Sequence, residues 1–231
     1  MLFLFIVLFV VVVFGAIMLP PYLKYSSSNY EIVSGNSFSQ TFFDKGIYGE
    51  FLTFYYLEKL EGHNRIMTNL YIPKENGATT EVDLIMLSQT GIYVFESKNY
   101  SGWIFGDERN KNWTQTLPNK QKNKFFNPIW QNKGHINALK SVVGLNNYNI
   151  FKSYIIFSER CTLKKISVTS PNIKVINRNQ LSQTIKQDIQ SSPNLLTKGE
   201  VDQLYLSLQR YTGVDDVIKK AHVDNVNKSI R

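Results

Sequence analysis

The sequence predicts a mixed α/β domain, in which helices flank a central sheet, preceded by one transmembrane helix. Three observations lead to this fold class. A long uncharged apolar run opens the chain, a helical apolar period follows, and short runs rich in β-branched and aromatic residues come after it. The expected strands lie near 66–72, 81–88, 91–98 and 150–157, and the covering helices near 46–61 and 128–143.

Composition limits the classes of function. With 231 residues the chain can bury a substantial core, and its net charge of +8 favours an anionic partner such as nucleic acid or a membrane surface. Cys161 is the only cysteine, so an intrachain disulfide and a cysteine-based zinc site are excluded. The three histidines, His63, His135 and His222, lack the spacing of metal ligands.

Residues 2–19 form an apolar run without charge, about as long as a helix that crosses a bilayer's hydrocarbon core. Pro20 and Pro21 are expected to end this helix. A cleaved signal peptide is the alternative, but no basic segment precedes the run and no small-x-small cleavage site follows it. Because Lys24 is the first charge after the run, we expect a single-pass anchor in the cell membrane with the domain on the cytoplasmic side.

The segment 20–40 is rich in serine and asparagine, which predicts a linker that separates the domain from the membrane. The amphipathic helix near 46–61 follows, and Gly62 is expected to stop it. Glu50 lies on its apolar stripe. A carboxylate that faces a core needs a partner, so Glu50 is either hydrogen-bonded within the fold or drawn to a cation that other carboxylates share.

The runs 81–88 and 91–98 flank a Gln-Thr-Gly sequence at 89–91, which predicts a β-hairpin. Side chains alternate between the two faces of a strand. Glu96 and Lys98 are therefore neighbours on one face of the second strand.

The length of the turn decides what lies opposite Asp83. A two-residue turn made of the first two turn residues places Asp83 opposite Glu96, and one made of the last two places it opposite Lys98. A three-residue loop places it opposite Ser97 instead. In the first two cases, two carboxylates and an ammonium group converge.

Such a cluster fits phosphodiester cleavage. Carboxylate oxygens are preferred ligands of Mg²⁺ (or Mn²⁺), so Asp83 and Glu96 are candidate metal ligands. Lys98 can orient an attacking water or help to deprotonate it. The structural alternative is a surface hairpin with a cross-strand ion pair.

The segment from Arg109 to Lys140 contains seven basic residues and no acidic one, which favours phosphate binding. The interleaved residues Trp113, Phe125, Phe126 and Trp130 either stack on bases or anchor a loop. A solvated basic loop is the alternative reading. The predicted nucleic-acid contacts are Lys111, Lys120, Lys122, Lys124 and Lys133.

The segment 99–106 predicts a bend and a short strand, and a second short strand around Trp113 is expected to pair with it. Asn127 and Pro128 are a strong start for the helix 128–143. Gln131 and His135 flank the apolar arc of that helix, and Gln131 lies in its first turn, close enough to reach the sheet. An amide that only packs and hydrogen-bonds is the alternative for Gln131.

The C-terminal part, residues 161–231, is expected to add a strand and helices. The strand lies near 173–176, and helices follow near 179–190 and 198–212. Thr197 and Glu200 predict a capping box at the start of the second helix. The tail after Gly213 is expected to be a frayed helix or disordered.

An ordered set of motifs resembles the nuclease-related domain (NERD) family of the PD-(D/E)xK, restriction-endonuclease-like superfamily. The resemblance covers about residues 41–160. Its motifs are Gly49-Glu50, Glu81-Val82-Asp83, Glu96-Ser97-Lys98-Asn99-Tyr100-Ser101-Gly102, Trp113 and Asn127-Pro128-Ile129-x-Gln131. The aspartate here follows Glu-Val where the superfamily motif has proline.

The resemblance implies a restriction-endonuclease-like fold, metal ligation by Asp83 and Glu96, water activation by Lys98, and supporting roles for Glu50 and Gln131. Two functions follow. One is a membrane-anchored, metal-dependent nuclease that hydrolyses phosphodiester bonds in DNA, with RNA as the second candidate substrate. The other is a non-catalytic module that holds nucleic acid or another anionic partner near the membrane. Only the first predicts metal-dependent cleavage.

Overall fold

The computed structural model describes residues 1–74, 77–145, 147–215 and 219–220. The helices are α1 (Leu2–Ser26), α2 (Tyr30–Ser34), α3 (Phe38–Phe43), α4 (Lys45–Leu57), α5 (Pro128–Val143), α6 (Leu181–Ser191) and α7 (Lys198–Leu208). The strands are β1 (Arg65–Pro73), β2 (Thr79–Ser88), β3 (Gly91–Lys98), β4 (Gly102–Asp107), β5 (Asn112–Thr116), β6 (Lys122–Phe126), β7 (Phe151–Phe157), β8 (Cys161–Ser167) and β9 (Ile173–Asn177). Most of the tail after Gly213 lies outside the described residues.

The central sheet has five strands in the order β1-β2-β3-β7-β9. Its first three strands form an antiparallel meander, whereas β7 and β9 run parallel to β3. Helix α5 lies in the crossover between β3 and β7, as a parallel connection requires. The predicted fold class, a mixed α/β sheet flanked by helices with an apolar helix at the N-terminus, is confirmed.

Helices cover both faces of this sheet, which explains why its strands are nearly continuous apolar runs. Helices α5 and α7 pack on one face, around Ile85, Val94 and Leu139. Helices α4 and α6 pack on the other, around Phe54, Phe95 and other aromatic side chains.

A second sheet, ordered β6-β5-β4-β8, extends from the end of the central one. The expected pairing of β4 with a strand around Trp113 is confirmed. The Trp113 ring is 1% exposed and stacks parallel to Phe157. It lies so close to Gly106 that a Cβ atom there would come within 2.1 Å of the ring. Residue 106 must therefore be glycine for β4 and β5 to pair at this distance.

The N-terminal region differs from the expectation. Helix α1 continues through Pro20 and Pro21 to Ser26 instead of ending at the prolines. Packing holds its last turn, because the Tyr25 side chain is 4% exposed and its ring lies 5.7 Å from that of Phe51 on α4. Burial of this ring offsets the hydrogen bonds that the prolines remove.

The segment 20–40, expected to be a linker, is largely helical. Tyr30 at the start of α2 is fully buried and packs on Phe51, and Ser37 caps α3 in a reciprocal capping box. Buried aromatic rings thus hold a sequence whose serine and asparagine content suggested a flexible chain. The apolar part of α1 is different, because its most hydropathic 18-residue window has a mean hydropathy of 3.3 and is 0% buried. Helix α1 has the length and apolarity of a membrane-spanning helix.

Candidate functional site

The hairpin between β2 and β3 fixes the register of the candidate site. Ser88 pairs with Gly91, so the turn contains two residues, the first of the three alternatives. The same register pairs Leu84 with Phe95 and therefore carries Asp83 to the level of Glu96.

Strands β1 and β2 are irregular at this level. Asn69, across from Asp83, has a φ of 53°, in the left-handed region that asparagine tolerates. Val82 and Leu84 pack into cores on opposite faces of the sheet, although alternate residues of a regular strand share a face. The irregularity therefore changes the direction in which the side chains of β2 point at Asp83.

Glu96 is the centre of a buried polar network. Its carboxylate is 1% exposed and accepts a hydrogen bond from Lys98 Nζ at 2.7 Å. His135 Nε2 lies 3.1 Å from the other carboxylate oxygen, and His135 Nδ1 lies 2.9 Å from the Thr80 hydroxyl. An ionised carboxylate only accepts, so His135 Nε2 donates to Glu96. The contact with Thr80 holds the imidazole ring, and the ring in turn holds the orientation of Glu96.

Gln131 joins the network from the first turn of α5, as its position in the sequence predicted. Its side-chain oxygen accepts from Lys98 Nζ at 3.1 Å. The helix is held against the sheet by Asn132, whose amide donates to the Val94 carbonyl at 2.9 Å and to Ser153 Oγ at 2.8 Å. Lys98 is thus held from two sides, by Glu96 and by Gln131.

The network sets the charge state of the pair. Burial alone would raise the pKa of Glu96, but Lys98 and His135 outweigh it, so the pKa lies below the ordinary value. Burial would lower the pKa of Lys98, yet Glu96 and then Asp83 hold it above the ordinary value. Lys98 is therefore a cation at neutral pH, which favours orienting a water or a phosphate oxygen over removing a proton.

Asp83 and Glu50 are two other carboxyl groups near Glu96. The sequence predicted the position of Asp83 and left that of Glu50 open. Burial, then the charges of Glu96 and Glu50, raise the pKa of Asp83 well above the ordinary value. Burial, then Glu81 and Glu96, raise the pKa of Glu50 to about 8. Within the described ranges neither Asp83 nor Glu50 has a hydrogen-bonded side-chain partner. Two alternatives were open for Glu50, a hydrogen bond within the fold or a shared cation. The described residues provide no hydrogen bond to its side chain.

This arrangement fits a divalent cation. The charges of Glu96 and Glu81 raise the pKa values of both Asp83 and Glu50, while Lys98 lowers the pKa values of Glu50, Asp83 and Glu96. Among the described residues, no group of three or more His, Cys, Asp or Glu side chains is placed to hold a metal ion. An ion would take Asp83 and a free lone pair of Glu96, with the Ser97 carbonyl, water or substrate oxygens as further ligands. Mg²⁺ is commonly held in this way, by one or two carboxylates.

The raised pKa of Glu50 predicts how stability changes with pH without metal. Its folded pKa of about 8 exceeds the ordinary 4.5, so ionisation destabilises the fold, and stability should fall as the pH rises between these values. Glu50→Gln should remove this loss, so that its melting temperature in EDTA decreases less from pH 6 to pH 9. We expect a gain of about 2–4 °C over the wild type at pH 9 for each kcal/mol relieved. Glu61→Gln, at an exposed site, is the control. If the wild type and both variants lost stability in parallel, the pKa of Glu50 would not be raised in the folded protein.

All five predicted nucleic-acid lysines are exposed. Lys122 and Lys124 project from one face of β6, opposite Thr116 and Thr114 of β5. Trp103 of β4 pairs with Thr116, so it lies on the same outer face of the second sheet, 51% exposed. Lys111 and Lys120 lie outside the strands, and Lys133 lies on α5.

The aromatic residues of the basic segment divide into two groups. Trp113 and the half-buried Phe125 pack into the core between the second sheet and β7, so they anchor the segment. Phe126 and Trp130 are 46% and 40% exposed and remain available for stacking. Strand β6 was not predicted from the sequence. Its residues, Lys-Asn-Lys-Phe-Phe, include two lysines and an asparagine, a composition typical of a basic loop.

His135 is the site residue that the sequence analysis did not assign. It is 5% exposed and bridges β2 and β3 through Thr80 and Glu96. A signal was present, because His135 follows Gln131 by four residues and so shares its face of α5.

The comparisons with known proteins identify the family of the chain. Residues 45–158 match the nuclease-related domain family, and this range contains the whole network. An uncharacterised protein of Bacillus anthracis is 36% identical over 182 residues, which cover 78% of this chain and 82% of that protein. No solved structure matches the chain. The extent of the match to this relative and the family match together show that the chain belongs to the nuclease-related domain (NERD) family.

Proposed function

We propose that the protein is a metal-dependent phosphodiesterase that cleaves nucleic acid, with DNA as the substrate. The observation that carries this proposal is the convergence of Asp83, Glu96 and Lys98 on one hairpin, where Glu96 is paired with Lys98 and the pKa of Asp83 is raised well above its ordinary value. In a member of a nuclease-related family, such a cluster is better explained by chemistry than by stability. Carboxyl groups held without partners where their ionisation is unfavourable do not stabilise a fold.

The roles of the side chains follow from their contacts. Bound Mg²⁺ or Mn²⁺ would supply Lewis-acid chemistry at the scissile phosphate and lower the pKa of a coordinated water. Asp83 and Glu96 would hold the ion, and His135 would keep the Glu96 carboxylate in position. Lys98, fixed by Gln131, would place its ammonium group against a non-bridging oxygen of the phosphate.

Substrate binding is assigned to the exposed lysines of the basic segment. Lys122 and Lys124 share the outer face of the second sheet with Trp103, and β4 begins four residues after Lys98. A strand of nucleic acid on this face would therefore lead towards the hairpin, with phosphates on lysines and bases against aromatic rings.

Membrane anchoring through α1 is the second part of the proposal. Helix α1 is long, apolar and unburied, and Lys24 lies at its C-terminal end, which favours a cytoplasmic domain by the positive-inside rule. Protease added to intact cells should leave the domain whole. Digestion while cytoplasmic control proteins survive would place the domain on the other side.

A non-catalytic binding module is the competing function, and one observation favours it. Both oxygens of Glu96 are already hydrogen-bonded, to Lys98 and to His135, as in a satisfied structural ion pair. On this view the basic surface would still bind nucleic acid, but Mg²⁺ would neither stabilise the protein nor support cleavage.

Metal dependence separates the two functions. The full chain in detergent would be incubated with supercoiled, linear and single-stranded DNA in Mg²⁺, Mn²⁺ or EDTA, and its melting temperature measured under the same conditions. The nuclease predicts cleavage and a raised melting temperature with metal only. If neither appears with any form of DNA, the binding module is the function.

The basic surface carries a separate prediction about affinity. The triple variant Lys120→Ala, Lys122→Ala and Lys124→Ala should weaken DNA binding at all sequences and reduce the salt dependence. Each lost phosphate contact lowers the slope of log K against log salt by about 0.7–0.9. The matched control removes three exposed lysines elsewhere, Lys74, Lys186 and Lys198. Equal slopes for the two variants would mean that the effect is one of net charge and not of this surface.

A further inference from the structure

A second polar site lies on the α4 face of the central sheet, outside the carboxyl network. It is a cavity of about 320 Å³ between the end of α1, α4, the segment after β3 and the β7–β8 connection. Four cationic side chains line it, and Glu159 is the one acid in its lining. The cations are Lys24, Lys45, Arg160 and Arg178.

Arg178 is the residue that marks this cavity as a binding site. It is 3% exposed, and its Nε and Nη2 atoms have no hydrogen-bond partner in the part of the chain that the structure describes. A buried guanidinium without partners is costly, because it has lost water and gained nothing in exchange. Arg160 differs, since it donates to the carbonyl and side-chain oxygens of Asn99 at 2.9 and 3.0 Å.

The surrounding chain holds Arg178 in place and leaves room for it. The preceding residue, Asn177, donates from its amide to the carbonyl oxygens of Ser158 and Cys161. A Cβ atom at Gly49 would lie 3.3 Å from Arg178 Nη2 and 3.2 Å from the Asn99 side chain. The absence of a side chain at Gly49 therefore preserves the space around the guanidinium.

We propose that this cavity binds a phosphate group carried by a small molecule, with Arg178 as its main ligand. A phosphate in the cavity would give the Arg178 guanidinium the charged acceptors that its Nε and Nη2 atoms lack, and the three other cations balance a dianion. The volume suits a phosphate with a small organic group, since it lies at the lower end of the range for ligand sites.

Two sources can supply that chemistry. Tyr48 and Tyr56 line the cavity and offer ring faces to the base of a nucleoside monophosphate. Lys24, at the end of the apolar helix α1, places the cavity where the phosphate of a lipid headgroup would also reach it. The site does not depend on the proposed nuclease activity, because none of its cations belongs to the carboxyl network.

The test uses the full chain in detergent with EDTA, so that no divalent metal mediates binding. The probes are inorganic phosphate, thymidine 5′-monophosphate and glycerol 3-phosphate, with thymidine and equal ionic strength of chloride as controls. We expect the phosphates, and not the controls, to raise the melting temperature and to give a measurable Kd by calorimetry. Tighter binding of the nucleotide identifies a nucleotide site, and tighter binding of glycerol phosphate identifies a headgroup site.

Arg178→Met and Lys45→Ala are the deciding variants, with Lys186→Ala as the exposed control. Arg178→Met should weaken phosphate binding at least about tenfold, because charged hydrogen bonds are lost. Without ligand it should be at least as stable as the wild type, since it removes an unpaired buried charge. Lys45→Ala should weaken binding a few-fold, and Lys186→Ala should leave it unchanged. Phosphate binding that survives Arg178→Met, or no binding to the wild type, would overturn the proposal.

Discussion

Asp83→Asn should abolish metal-dependent cleavage while the protein stays folded. The variant removes a predicted metal ligand, so activity should fall by more than about a hundredfold and the melting temperature should no longer rise with Mg²⁺. Without metal, the variant should gain stability on the alkaline side, because ionisation of an acid with a raised pKa destabilises the wild type there. Cleavage assays and thermal melts with Mg²⁺ or EDTA measure both effects.

Glu61→Gln serves as the control, because it removes an acid from an exposed position. It should keep both activity and the response to metal. If Asp83→Asn cleaved DNA at the wild-type rate, or kept the full stabilisation by Mg²⁺, Asp83 would not be a ligand and the proposed site would be wrong.

Lys98→Met should lower stability strongly, because it leaves the buried Glu96 carboxylate with His135 as its remaining partner. Removing one member of a buried ion pair costs about 3–5 kcal/mol, which corresponds to a decrease in melting temperature on the order of 10 °C for a chain of this size. Cleavage should be lost, whereas stabilisation by Mg²⁺ should persist, because Lys98 is not a ligand.

The double variant, Glu96→Gln with Lys98→Met, separates the structural role from the chemical one. It should recover part of the lost stability, because the unpaired charge is gone. Activity should not recover, since both a ligand and the cation are absent. If stability and activity returned together, or if Lys98→Met remained active while folded, the lysine would serve the fold alone.

The fold of the central sheet could be predicted because its signals are local. The strand runs, the hairpin and the capped helix α5 are each encoded by residues close together in the chain, and the structure places all of them as expected. The expected helix near 46–61 ends earlier, at Leu57. Strand β8 was missed because Lys164 and Lys165 interrupt its apolar alternation at a bulge in its pairing with β4.

The candidate site was only partly predictable, for a related reason. Strand periodicity brought Glu96 and Lys98 to one face, and the turn length limited Asp83 to three alternatives. The charge state of Glu50 and the contact of His135 with Thr80 depend on how helices dock on the sheet, which no local pattern encodes. The unpaired Arg178 is the extreme case, since its setting combines segments from four parts of the chain.

The packing of Tyr25 and Tyr30 on α4 has a mechanical consequence. If residues 20–40 were a flexible linker, its root-mean-square end-to-end distance would be about 25 Å, and the domain could move by that distance relative to α1. Instead, Tyr25 in the last turn of α1 and Tyr30 in α2 pack against Phe51, the residue next to Glu50. In a chain anchored by α1, tilting or rotating that helix in the bilayer would turn α4 with it. A change in the lipid environment that tilts α1 would then also move α4 and the Glu50 side chain, because no flexible segment separates the anchor from the site.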